Sequence, residues 1–144
     1  MSKPNPSRLP PGPCDETAGL NYFPRLTGKI RLQAAGLLWE DLAANMSKGI
    51  DAALCGFLHV DYEALRMRVL EGGSDAEVLA WCEARSRVLN DIDRLVWNYY
   101  VAKLGWQDHV TLALEKRKAE AGLASRDDIQ TIAHYIDVDE GRRE

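Results

Sequence analysis

Apolar residues along this chain recur at three- and four-residue steps, the period of a helix that buries one face. From Pro24, a residue suited to a helix start, Leu26, Ile30, Ala34 and Leu37 predict a first helix over about residues 25–35. It continues irregularly through Trp39 and Leu42 to Met46, with Gly36 as a weak point. Gly49 reads as a stop and Asp51 as the start of a short helix carrying Leu54, Phe57 and Leu58. Asp61 is placed to cap a helix with Tyr62, Leu65 and Val69 inward, closed by Gly72 and Gly73.

Ser74 with Glu77 three residues on is a capping-box signature, so a new helix starts there. Val78, Cys82, Arg85, Leu89, Ile92, Val96 and Tyr99 then follow steps of four and three, which one long helix would satisfy. Ser86, Asn90 and Asp91 are cap-type residues, and they predict a break between residues 85 and 90. Gly105 ends the second part. Asp108 is read as the cap of a helix reaching about Ala121, with Val110, Ala113 and Leu114 inward and Gly122 as its stop. A last helix is expected from about Asp127, with Ile129, Ile132, Ala133 and Ile136 on one face. No run alternates with period two, so strands are not expected. The fold class is all-α, a compact bundle of about six to eight short and medium helices.

Proline changes the picture at one end. All six prolines lie between Pro4 and Pro24, and each fixes φ and removes a donor, so residues 1–23 form an extended proline-rich arm rather than a helix. Leu20, Tyr22 and Phe23 give the arm's inner end apolar groups to dock. Residues 24–144 are expected to be a single helical domain, a size and composition that sustain a core without staples. Apolar runs are far too short to cross a bilayer, and residues 1–14 lack the apolar stretch of a secretory signal, so a cytoplasmic address is expected.

The net charge of −4 is uneven, with +3 over residues 1–31 and −7 over the rest. The acidic body opposes a phosphate backbone, and nucleic acid is not expected as a partner. Cys14, Cys55 and Cys82 form no CxxC pair. Cys55 and Cys82 sit among apolar neighbours and read as inert core thiols.

Motifs for phosphate-binding loops, dinucleotide folds, zinc proteases, nucleophile elbows and EF-hands are all missing from the sequence. His134 lies near Asp137, Asp139 and Glu140, but the spacing fits no recognised metal site, and no metal, cofactor or catalytic residue is assigned. Trp97, Asn98, Tyr99 and Tyr100 put three aromatics within one turn, where successive residues point about 100° apart. They cannot all face one core. Arg25 and Lys29 sit near the positive start of the first helix, and Asp137, Asp139 and Glu140 sit at the negative end of the last. Both groups need compensation, which predicts at least one ion pair tying the first helix to the last.

FPRLTGKIR at residues 23–31, GID at 49–51, SDAEVLAW at 74–81, the Trp97-Asn98 pair and GLASRDDIQTIAHYIDVDEGR at 122–142 resemble an uncharacterised bacterial family of small helical proteins, a domain of unknown function. The resemblance implies separate helices on either side of Ser86. It brings no activity, cofactor or substrate. The leading expectation is therefore a non-catalytic cytoplasmic interaction protein, pairing with a protein partner or with itself as a homodimer through the arm or the aromatic patch. The alternative is a small-molecule-binding protein or uncharacterised enzyme with a pocket near the Trp97 to Tyr100 patch. Arg25, Trp97, Asn98, His134 and Asp137 are the candidate ligand- or partner-binding residues.

Overall fold

The computed structural model describes residues 4–144. A 3-10 turn at Pro6–Arg8 opens the described chain, followed by a minimal antiparallel hairpin, β1 (Glu16–Thr17) and β2 (Leu20–Asn21), with Thr17 opposite Leu20. Eight helices follow: α1 (Phe23–Ala34), α2 (Glu40–Ala43), α3 (Ile50–Leu58), α4 (Tyr62–Leu70), α5 (Asp75–Arg85), α6 (Asp91–Lys103), α7 (Thr111–Glu120) and α8 (Ile132–Asp139). The protein is a helical bundle, and among the described residues strands are confined to this hairpin, which the sequence pattern did not predict. Two residues per strand are too few for period-two alternation to register. The hairpin's turn is made by backbone with positive φ at Ala18 and Gly19.

Helix α1 is the hub. Its Phe23, Leu26 and Ile30 are buried, and it packs against α4, α5 and β1. It starts at Phe23, two residues earlier than the periodicity suggested, because Tyr22 turns the chain into it with φ 76°. The expected break falls between α5 and α6. Ser86 ends α5, and Asn90 with Asp93 builds a full capping box in which each side chain accepts from the other's backbone N–H. Ser74 caps α5 through the Glu77 N–H, but the Glu77 carboxylate receives the Ser74 hydroxyl rather than its backbone N–H. Asp61 caps α4 as expected.

Three expected helix starts are corrected. Asp108 does not cap α7, which starts at Thr111 after Val110 without a side-chain cap bond. Asp51, read as the start of the short helix, is the second residue of α3, buried and turned inward. The last helix begins at Ile132 rather than near Asp127, because the Thr131 hydroxyl takes the His134 N–H and fixes the cap there. Ile129 is buried in the preceding turn instead of on the helix. The Ile132 N–H donates to Leu104 O at 2.8 Å, joining the start of α8 to the end of α6. Gly105 permits this approach: its φ is 102°, and a Cβ there would lie 3.1 Å from the Ile132 nitrogen.

The polar start of the chain is laced onto this bundle. Arg8 donates to Leu37 O and Leu38 O and pairs with Glu40, Arg142 donates to Pro10 O, and Pro11 lies against Gly28 of α1. Among the described residues, no helix is long and apolar enough to cross a membrane.

Candidate functional site

A row of polar residues runs along the inner side of α1. Tyr22, Arg25 and Lys29 are three and four positions apart, so they share a face with the core residue Leu26. All are buried. The Arg25 guanidinium clasps the Glu140 carboxylate at the end of α8 in two parallel bonds, Nη1 to Oε1 at 2.9 Å and Nη2 to Oε2 at 2.6 Å, and also donates to Pro11 O at 3.0 Å. This is the expected tie between the first and last helices. Lys29 Nζ donates to Asp51 Oδ1 at 2.6 Å and to the Tyr22 hydroxyl at 3.0 Å, while that hydroxyl donates to Asp51 Oδ1 at 2.6 Å. The other Asp51 oxygen accepts the Ser47 N–H. Asp51 is 1% and Arg25 2% exposed, so these are interior charges.

Their environment shifts their protonation in ways that follow from burial and pairing. Burial works against the Arg25 charge, but the hydrogen bonds and negative charge of Glu140 outweigh it and hold the guanidinium above its ordinary value. Burial pulls the Lys29 ammonium down, and Asp51 recovers only part of the loss. The Tyr22 phenol is pushed well up, first by burial and then by the Asp51 charge. Arg25 Nε is buried without a hydrogen-bond partner.

Tyr22, Arg25, Lys29 and Glu140 of this network form the floor of a cleft of about 740 Å³, with Asp51 buried behind Lys29. Ile50, Tyr100, Leu104, Ile132 and Ile136 give it apolar walls, with Tyr135 beside them. Its rim carries both signs, with Lys48, Lys116 and Arg117 facing Asp41, Glu120 and Asp139. Lys116 and Glu120 approach to 3.9 Å, whereas Lys48 and Arg117 form no ion pair among the described residues. The volume is in the range of small-molecule sites, and an apolar cavity with a few convergent polar groups is their usual form.

The five sequence-derived candidates do not converge. Arg25 lies on the cleft floor. Trp97 is buried, stacked on Phe57 with ring centroids 5.1 Å apart, and its indole N–H donates to Asn21 O at 2.8 Å. Asn98 grips the hairpin, donating to Gly19 O and accepting the Asn21 N–H, both at 2.9 Å. Of the aromatic patch, Tyr100 alone lines the cleft, and Tyr99 faces solvent. His134 is half-buried on α8. Asp137 is 3.4 Å from Arg142, which itself reaches Glu140 at 2.6 Å. No group of three His, Cys, Asp or Glu side chains is placed to hold a metal ion among the described residues.

Tyr22, Lys29 and Glu140 complete the floor, with Asp51 holding Lys29 and Tyr22 from behind, but these four were not candidates. One signal could have found three of the floor residues: Tyr22, Arg25 and Lys29 recur at core spacing, so burying Leu26 buries them too. Asp51 offered none, because an acidic residue soon after Gly49 reads as an ordinary helix start.

A family model described as Domain of unknown function (DUF5069) matches residues 7–142. None of the curated proteins matches the chain.

Proposed function

We propose, for a chain that belongs to this family of unknown function and takes no activity from it, that it binds a small polar organic molecule in the cleft between α1, α7 and α8. One observation carries the reading: two buried ion pairs, Arg25 with Glu140 and Lys29 with Asp51, sit under an open cleft with apolar walls. Buried ion pairs are a poor source of stability, since apolar residues of similar volume do as well or better. Placing them at the base of a cavity suits recognition instead. The rim offers both charge signs and the walls offer apolar contact, which favours a ligand carrying charged groups on a short hydrocarbon frame.

This extends the alternative raised from the sequence, with the pocket moved from Trp97 to the seam of the first and last helices. The test is a thermal-melting screen of the purified protein against amino acids, small carboxylic acids, polyamines and nucleosides at millimolar concentration, with native mass spectrometry of the untreated protein. At least one class is expected to raise the melting temperature, and Ala113→Trp, which plugs the cleft from an exposed position, is expected to abolish that rise. No shift from any class together with no co-purified molecule overturns the proposal. The non-catalytic interaction role would then be the reading to pursue.

A further inference from the structure

The outer face of α6 is apolar and uncovered. Ile92, Leu95, Val96 and Tyr99 fall within one arc of the helix, and Ile92 and Val96 are 64% and 59% exposed. The opposite side of the same helix is fully engaged, with Trp97 and Val101 in the core and Asn98 holding the hairpin. The periodic stripe running from Val78 to Tyr99 is thus split by the break at Ser86: its α5 part is core, and its α6 part faces outward. Contiguous exposed apolar surface of this kind marks an interaction site.

We propose that this face pairs with a second copy of the same chain, α6 against α6 in antiparallel orientation about a two-fold axis. The argument for that occupant is charge complementarity. Asp91 bounds the apolar arc at the start of α6 and Lys103 bounds it at the end. Antiparallel pairing centred at the level of residue 97 sets Asp91 of each copy opposite Lys103 of the other. The same operation sets Leu95 against Tyr99, so apolar groups meet apolar groups and opposite charges close both ends. A two-fold interface needs one self-complementary patch, and this face is one. Parallel pairing would place Asp91 beside Asp91 and Lys103 beside Lys103, which like-charge repulsion disfavours. Tyr100 and Leu104 at the end of α6 line the cleft, but none of Ile92, Leu95, Val96 and Tyr99 does, so the pairing face and the cleft are different surfaces of the helix.

Sedimentation equilibrium of the full chain up to millimolar concentration tests the pairing. The expected result is reversible association to twice the 16.1 kDa monomer. Leu95→Glu, at a solvent-exposed position, is expected to raise the dissociation constant at least about tenfold with unchanged thermal melting of the monomer. Asp91→Lys alone should also weaken pairing, and adding Lys103→Asp should restore it. A monomer at every concentration overturns the proposal. So does a dimer indifferent to Leu95→Glu, or a charge-swapped double variant no better than Asp91→Lys alone.

Discussion

Asn98 and Asn21 are joined side chain to backbone: the Asn98 Oδ1 accepts the Asn21 N–H at 2.9 Å, and the Asn98 Nδ2 donates onward to Gly19 O at 2.9 Å. With the Trp97 indole on Asn21 O, one turn of α6 satisfies three backbone groups of a hairpin too short to stand alone. Asn98→Ala leaves two of those groups without partners. It is expected to destabilise the fold by about 1–3 kcal/mol, read from urea denaturation.

The clasp between Arg25 and Glu140 predicts strong non-additivity. Glu140→Gln leaves a buried guanidinium without its counter-charge and is expected to cost about 3–5 kcal/mol. The double change Arg25→Met with Glu140→Leu removes both charges. It should cost less than Glu140→Gln alone, as a double-mutant cycle in denaturant would show.

Gly28 marks where the proline-rich segment lies on α1, since a Cβ there would come within 2.8 Å of the Pro11 ring and 3.4 Å of Pro10. Gly28→Ala improves helix propensity, yet it should destabilise by about 1–3 kcal/mol through overpacking. Faster amide exchange and proteolysis around Leu9 to Gly12 would show that this segment is what lifts.

Alkaline pH should weaken the fold. Burial pushes the Cys55 thiol up to about 12, the Cys82 thiol to about 11 and the Tyr62 phenol to about 12, and Tyr22 is raised well above its usual 10.0. Each of these groups keeps its proton in the native state at a pH where the unfolded chain has lost it. The native state then binds more protons, and stability falls as pH climbs from about 9 towards 12. Lys29 acts in the opposite sense, because its lowered value lets the native state release a proton first. Burial also raises Cys14, Tyr100 and Tyr135, and seven groups against one give a net decline in the urea midpoint above about pH 9, shallower in Cys82→Ala. At neutral pH a thiol reagent should modify Cys14 in the folded protein and spare Cys55 and Cys82 until unfolding.

What the sequence revealed was what local chemistry determines. The break after Arg85 was visible because Ser86, Asn90 and Asp91 compete with helix hydrogen bonds whatever surrounds them. A tie between the first and last helices was visible, though not which pair makes it, because cations at a helix start and anions at a helix end are each misplaced alone. The burial of Asp51 was hidden, since its reason lies in Lys29 and Tyr22 on another helix. So was the outward turn of Ile92 and Val96: periodicity shows that a helix has an apolar face but not which neighbour covers it. The cleft itself is lined from α1, α2, α3, α6, α7 and α8 together, an arrangement that no single segment encodes.

The Arg25 to Glu140 clasp also sets an order of events in time. Its partners are 115 residues apart, and at about 5–20 residues per second a ribosome needs roughly 6–23 s to add that stretch. Throughout that interval α1 has no Glu140 to bind, so its guanidinium keeps its water and cannot sink into the interior. The Lys29 to Asp51 pair needs only α1 and α3, but the floor of the cleft is complete only after synthesis has passed α8.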